Sequence, residues 1–405
     1  MKILALASAL LVPAASVACA QDSPVALVQE AHPAFASAGP VAFAQDGLAR
    51  DDGQGAIVVT PAQELAVERG LAWLADHQSA DGSWVAKIGF KLNNDFRFTA
   101  DDKGHLGVTS LAGMAYLAGG HLPGRGKYGK NVDQALRFVL SCVQEDGYIT
   151  YGGTRMYDHA FATLFLAEVF GMTSRDDVKA ALQKAVDFIV KSQNAQGGWR
   201  YEPYSTESDM SIVVCQVIAL RAARNIGVRV PKSTVERAAR YVVDSAFMND
   251  SGRDGGMNYP SAFISEIGTF RYQKEVHSRT SFPLTAAGVT ALHGLGIYSD
   301  ELIKKGLDFL SRNRSSFNDE PTPGSRTDKG HYYFWYGHYY AVQAMYTAGS
   351  PYWEPYFEDL RTKLLAIQRP DGSWPNEVGP GPAFGTAMGV LILEIPYRFL
   401  PIFQR

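Results

Sequence analysis

Cysteine is scarce. Three occur in 405 residues; Cys19 falls in an apolar leader, and Cys142 and Cys215 sit inside apolar helical patterns, so two buried thiols are expected rather than a disulfide framework. Charge of one sign is also lacking. With 38 Lys+Arg against 41 Asp+Glu, a pI near 6.3 and no basic run, the chain has no electrostatic footprint for nucleic acid, which is excluded as a partner. After the leader no apolar run reaches the ~18 residues of a spanning helix, so no transmembrane helix is expected once the leader is removed. No Cys-Gly-Glu-Gln stretch occurs, which excludes covalent thioester capture. A 46% hydrophobic content excludes wholesale disorder, and the aromatic complement is large: 6 Trp, 20 Tyr and 21 Phe.

Met1-Lys2, the apolar stretch Ile3 to Val17 and Ala18-Cys19-Ala20 read as a signal peptide over residues 1–20, with the mature chain starting at Gln21. Reading Ser16-Val17-Ala18-Cys19 as a lipobox would instead acylate Cys19. Either way the protein is expected to be exported, to the periplasm or beyond. Residues 21–58, rich in Ala, Gly, Asp and Ser, read as a flexible lead, and residues 59–405 as the folded domain.

That domain repeats itself. Gln78 to Trp84, Gln144 to Tyr148, Gln193 to Trp199, Arg253 to Met257 and Gln368 to Trp374 share an Asp-Gly or Gly-Gly step, usually with an upstream Gln and a following aromatic. Their spacing of about 58 residues leaves one gap of double length, so a degenerate sixth copy is expected near Phe317. Before each copy runs a pattern with one apolar stripe, as in Val67/Leu71/Leu74 or Leu182/Val186/Ile189. After each runs a segment apolar on nearly every side: Leu106–Leu117, Phe161–Phe170, Ile212–Leu220, Leu284–Leu295, Tyr332–Met345 and Phe384–Ile395. A helix without a wet face must be covered all round. Six two-faced helices alternating with six covered ones predict an all-α fold, a closed α6/α6 barrel of six helix hairpins. The Gly step supplies the positive φ that ends a helix, and the Gln and aromatic close the corner.

With Gln78…Trp84, Gln193…Trp199 and Gln368…Trp374 in view, the chain resembles the terpene cyclase and protein prenyltransferase α/α-toroid superfamily from about Ala62 to its end. The resemblance implies a central cavity at the inner-helix ends. It also implies an acid for polyene cyclisation, which in squalene-hopene cyclases is an Asp-x-Asp-Asp group that this chain lacks; Glu207-Ser208-Asp209-Met210 is the nearest approach. In protein prenyltransferases it implies a zinc site of Asp, Cys and His, whose counterpart here is Asp328, His331 and His338, with His in place of Cys. Seven residues of straight helix put the two histidines about 10.5 Å apart, so they share an ion only if the helix starts after His331.

The residues themselves nominate further candidates. Asp158-His159 pairs a carboxylate with an imidazole at the start of the second covered helix, a general-base pairing in type, and Glu207 and Asp209 stand at the start of the third. Seven of ten residues from His331 to Tyr340 are aromatic, and Tyr332, Trp335, Tyr336 and Tyr339 are the candidate ligand wall. The expected partner is an isoprenoid or other apolar small molecule, with cyclase- or transferase-like chemistry as an extension and no cofactor other than the zinc just considered. Two rivals stand beside this. Gln368 to Pro375 also resembles turns of helical-barrel pectate lyases, which would make the partner a glycan and call on bases such as Arg155, Arg279 or Arg326; a barrel filled with side chains would serve only as an interaction scaffold.

Overall fold

The structure, a computed structural model, describes residues 57–91, 97–248, 266–275, 278–319 and 330–403. The signal peptide, Cys19, nearly all of the lead, the Arg253–Met257 copy, Arg326 and Asp328 lie outside the described residues.

Twelve helices are seen in chain order among the described residues: α1 Pro61–Asp76, α2 Leu106–Ala118, α3 Gly129–Ser141, α4 Met156–Thr173, α5 Asp176–Ser192, α6 Met210–Asn225, α7 Lys232–Asp244, α8 Phe282–Gly294, α9 Glu301–Asp319, α10 Tyr332–Ala348, α11 Trp353–Ile367 and α12 Pro382–Glu394. A short antiparallel hairpin, β1 Ile88–Lys91 with β2 Arg97–Ala100, separates α1 from α2; no sequence pattern announced it. The even helices pack in order, α2 on α4, α4 on α6, α6 on α8, α8 on α10 and α10 on α12, and α12 returns to α2. The ring is closed. The odd helices lie outside it, burying one stripe each: in α1 Val67, Leu71 and Leu74, in α5 Leu182, Val186 and Ile189. Cys142 and Cys215 are free and buried.

The turns explain why the hairpins stack. Each Trp indole donates to a carbonyl in the last turn of its own outer helix, where the regular helical ladder runs out: Trp84 to Leu74 O at 2.8 Å, Trp199 to Ile189 O at 2.8 Å, Trp374 to Leu364 O at 2.9 Å. Each Gln amide donates twice, once to the turn glycine's carbonyl and once to the next outer helix: Gln78 to Asn131 O at 3.0 Å, Gln193 to Thr234 O at 3.0 Å. Gln368 makes the same bond to Ala66 O at 2.8 Å, joining the last hairpin to the first. The glycines are obligatory there. Gly82, Gly197 and Gly372 have φ of 91°, 92° and 97°, and a Cβ on them would sit 2.3–2.5 Å from the carbonyl oxygens of Gln134, Arg237 and Arg69, three residues beyond the one that takes the amide.

This register relocates two copies. In the second, Gly147 takes the glycine place, so Ile149, not Tyr148, stands where the others have Trp, and Val143 stands where they have Gln. The fourth turn is Gly268-Thr269-Phe270: Gly268 has φ of 92° against Lys305 of α9, and the Phe270 N–H meets Thr285 Oγ1 at 3.4 Å as Trp84 N–H meets Thr109 Oγ1 at 3.1 Å. Phe317 itself lies within α9, and residues 320–329, between α9 and α10, where a copy near it would fall, lie outside the described residues.

The chain end lies across the far side of the ring, two 3-10 turns at Ile395–Tyr397 and Pro401–Phe403 carrying it from α12 to α4 and α6. Ile402 N–H donates to Glu168 Oε2 of α4 at 3.3 Å, and Tyr346 OH of α10 donates to Phe403 O at 3.3 Å. Two carboxyls are buried there, Glu168 and, at the end of α12, Glu394; burial pushes Glu168 up to about 8 and Glu394 well above the usual carboxylate range.

Two outcomes follow. Gln368→Ala removes both amide bonds of the closing turn and is expected to lower unfolding free energy by roughly 1–3 kcal/mol in a denaturant titration, since two carbonyls lose a donor. Glu168 holds its proton in the fold when the unfolded chain has lost it, so the wild type loses stability as pH rises from about 4.5 towards 8 and then levels off. Glu168→Gln does not titrate, so its melting temperature relative to wild type should climb across that window; a constant difference would contradict it.

Candidate functional site

The inner helices begin beside one another, Gly107 N–H of α2 on Asp158 of α4, Met210 N–H of α6 on Tyr272 O ahead of α8, and Tyr332 N–H of α10 on Val378 O ahead of α12, so their N-termini open on one side of the ring. Asp209 is the N-cap of α6 and is fully buried. Its Oδ1 accepts Ile212 N–H at 3.1 Å and Ser211 Oγ–H at 2.5 Å, and its Oδ2 accepts Tyr272 OH at 3.3 Å. Tyr272 thus spends its proton on Asp209, which makes Tyr201 the donor in the 2.6 Å contact between the two phenols. The Tyr201 ring lies 5.9 Å from that of Tyr157 on α4, and the Arg279 guanidinium lies over Tyr272 at 4.8 Å while donating to Tyr333 OH at 3.3 Å.

From α10, Tyr336 OH donates to Ser211 O at 3.2 Å; its ring meets Tyr340 edge-on at 4.8 Å, and Tyr340 in turn meets Tyr339 at 5.0 Å. Tyr339 faces Phe161 of α4 at 6.5 Å, and Tyr340 OH lies 3.0 Å from Cys215 Sγ. Aromatic rings from α4, α10 and two loops therefore converge beside α6. Burial pushes the phenols of Tyr157 and Tyr336 well above the usual tyrosine range, yet both keep accessible surface. A side chain both deep in protein and partly wetted lines a recess.

Electrostatics in the recess favour neutral forms. Burial, opposed by the Ser211 hydroxyl and Ile212 N–H, pushes Asp209 up to about 6, and burial pushes the Cys215 thiol up to about 12. The Cys215 thiol is therefore no nucleophile at neutral pH.

The other candidates are placed elsewhere. Asp158 is buried at the start of α4, where Oδ1 takes Gly107 N–H of α2 at 2.8 Å and His105 Nδ1 at 3.0 Å, and Oδ2 takes Arg155 N–H at 3.3 Å. Burial opposes its charge, but His105 and those N–H groups outweigh it and hold the carboxyl below the usual range. Asp158 and His159 do not act on each other: His159 Nδ1 accepts Ile149 N–H at 3.0 Å, the place Thr109 fills in the first repeat, and its ring packs on Tyr148 and on Phe188 of α5. Burial pushes it down to about 3, so it stays neutral. Glu207 is exposed and pairs with Arg200. Trp335 is fully buried with its indole on Pro375 O at 2.9 Å, and Tyr332 stacks on Tyr333 at 4.4 Å beside His331.

Of the zinc candidates, Asp328 lies outside the described residues, and His331 and His338 each have a ring nitrogen engaged by protein. Helix α10 does start after His331, but His331 Nδ1 accepts Tyr333 N–H at 3.1 Å, His338 Nδ1 meets Tyr356 OH of α11 at 2.8 Å, and among the described residues no three His, Cys, Asp or Glu side chains come together as a metal site.

Tyr201 and Tyr272 had no nomination from sequence, although a signal exists: each stands two residues after its turn aromatic, Trp199 and Phe270. Placing the fourth turn at 253–257 hid it.

Residues 57–261 match the family model described as prenyltransferase alpha-alpha toroid domain. No protein of curated function matches the sequence. Among solved structures the chain is similar to a variant of the type II terpene cyclase MstE from Scytonema in complex with geranylgeranyl dihydroxybenzoate, at 13% identity and a TM-score of 0.54, covering 84% of this chain and 98% of that one. It is similar as well to an inactive variant of the GH76A alpha-1,6-mannanase of Salegentibacter sp. HEL1_6 in complex with alpha-1,6-mannotetrose, at 9% identity and a TM-score of 0.56, covering 83% and 98%. A novel alpha-amylase from Clostridium perfringens gives 10% identity and a TM-score of 0.57, covering 84% and 99%. At such identities these likenesses show the fold alone.

One titration is expected from the site. Tyrosine fluorescence should follow a single proton leaving near pH 6 as Asp209 ionises beside Tyr272, and Asp209→Asn, which keeps an acceptor for Ile212 N–H, should abolish that inflection while the fold persists by circular dichroism.

Proposed function

The chain belongs to the prenyltransferase alpha-alpha toroid family, and from that premise we propose that it is an exported protein that binds an isoprenoid or similar apolar chain in the tyrosine recess without cyclising it. The observation that carries the reading is the convergence of Tyr157, Phe161, Tyr336, Tyr339 and Tyr340 rings from two inner helices beside a third. Ring faces reward apolar contact, and two of the hydroxyls meet protein partners, Tyr336 OH on Ser211 O and Tyr340 OH at Cys215 Sγ.

The absence of cyclisation rests on acid strength. Protonating a carbon–carbon double bond calls for a carboxylic acid made stronger than usual by its neighbours. Asp209 moves the other way, up to about 6, and among the described residues its hydrogen-bond partners are Ser211, Ile212 N–H and Tyr272, with no second carboxylate among them. Export rests on the leader, Met1 to Ala20.

Hydrolysis of a glycan needs two carboxyls flanking the scissile bond. Among the described residues Asp158 is committed to Gly107, Arg155 and His105, and Glu202 and Glu207 are paired with Arg155 and Arg200, which leaves Asp209 as the one carboxyl here without an ion-pair partner. The test is a binding titration of purified mature protein with geranylgeraniol, followed by tryptophan fluorescence, with alpha-1,6-mannotetraose in parallel. Saturable binding of the isoprenoid, weakened about tenfold by Tyr336→Ala or Tyr157→Ala, and recovery of the alcohol unchanged, is expected; tenfold is ~1.4 kcal/mol, in the range of one lost aromatic contact. Saturation by the tetrasaccharide alone, or recovery of a cyclised product, would overturn the reading.

A further inference from the structure

Arginines at the mouth of the recess are not alike. Arg155 pairs with Glu202 at 2.9 Å, and Arg200 pairs with Glu207. Arg279 is half-buried against the recess tyrosines and has no carboxylate partner among the described residues; its polar side-chain contact is the Tyr333 hydroxyl, and its face rests on Tyr272. The one carboxylate nearby, Asp209, points its oxygens at Ser211, Ile212 N–H and Tyr272, so it reaches Arg279 only through a phenol.

We propose that the recess selects an apolar chain ending in a carboxylate, and that the Arg279 guanidinium binds that head. The inference rests on the apolar-chain reading above and adds the charge of the ligand. A half-buried guanidinium has given up part of its hydration, and among the described residues its one side-chain acceptor is the Tyr333 hydroxyl. A planar carboxylate answers it with two parallel hydrogen bonds and one compensating charge. A diphosphate head fits poorly, because it would bring several negative charges to one free cation: Arg155 and Arg200 are engaged, and no metal-binding cluster exists among the described residues to take up the excess.

The test compares three probes of one chain length on the full mature protein by the same fluorescence titration: geranylgeranoic acid, geranylgeraniol and geranylgeranyl diphosphate. Wild type should bind the acid at least tenfold more tightly than the alcohol or the diphosphate. Arg279→Gln should bring the acid down to the level of the alcohol while leaving the alcohol unchanged, which also certifies that the variant folds; Arg279→Lys should keep part of the preference, as a point charge without the fork. Equal binding of acid and alcohol by wild type overturns this inference and leaves the apolar-chain reading standing. Tightest binding of the diphosphate, or an acid preference that survives Arg279→Gln, overturns it too. Binding of no probe overturns both.

Discussion

A side-chain amide reaching from the end of one outer helix to a carbonyl of the next is the bond on which the ring depends. Helix hairpins bury their inner member well in pairs, but apolar contact has no direction and does not fix the angle between neighbours. The Gln bond does. It ties residue 78 to the carbonyl of Asn131, residue 193 to that of Thr234 and residue 368 to that of Ala66, while the turn glycine of each copy lies against a carbonyl three residues further along the same helix. Two contacts on one helix, one helical turn apart, set both register and tilt. Three of the turns carry this bond, the last of them at the seam where α12 returns to α2.

The architecture was legible because its signals are local. Stripes such as Val67/Leu71/Leu74 and uniformly apolar runs such as Leu106–Leu117 are the periodicities that packing requires, and Gly with positive φ has few substitutes. Copies became unreadable where the fold found other groups for the same task. Ile149 fills the Trp place by shape alone, and His159 supplies the acceptor that Thr109 supplies elsewhere, so a residue that looked like chemistry is a structural equivalent of a threonine. Phe270 does the same in the fourth turn, far from the Asp-Gly step that drew attention to 253–257.

The site was half legible for a related reason. Asp209, Tyr336 and Tyr339 stand on inner helices, where position in the repeat predicts which end they occupy. Tyr201 and Tyr272 are brought together by tertiary closure of two turns 71 residues apart, and only their contact with Asp209 gives them a role. Asp158 shows the converse. Its place in sequence equals that of a functional carboxyl, but a neighbouring helix offers Gly107 N–H and His105, and the carboxylate goes to them.

The two ends of the ring are electrically unlike, and the direction of the inner helices is the reason. Six helices running one way put six positive dipole ends at the recess and six negative ends under the chain terminus. At the far end the carboxyls of Glu168 and Glu394 are buried near helix C-termini, where both burial and the dipoles oppose charge, and both are pushed towards their protonated forms. At the recess the dipoles favour an anion, and there Asp209, though completely buried, is pushed up only to about 6, because the Ser211 hydroxyl and Ile212 N–H oppose burial. The same field adds to Arg279 for any negative head that enters, and it acts against a cation. A ring assembled from parallel hairpins therefore carries a polarity of its own before any residue is chosen, and at the mouth of this one the Arg279 guanidinium, without a carboxylate partner among the described residues and set against phenols, reinforces it.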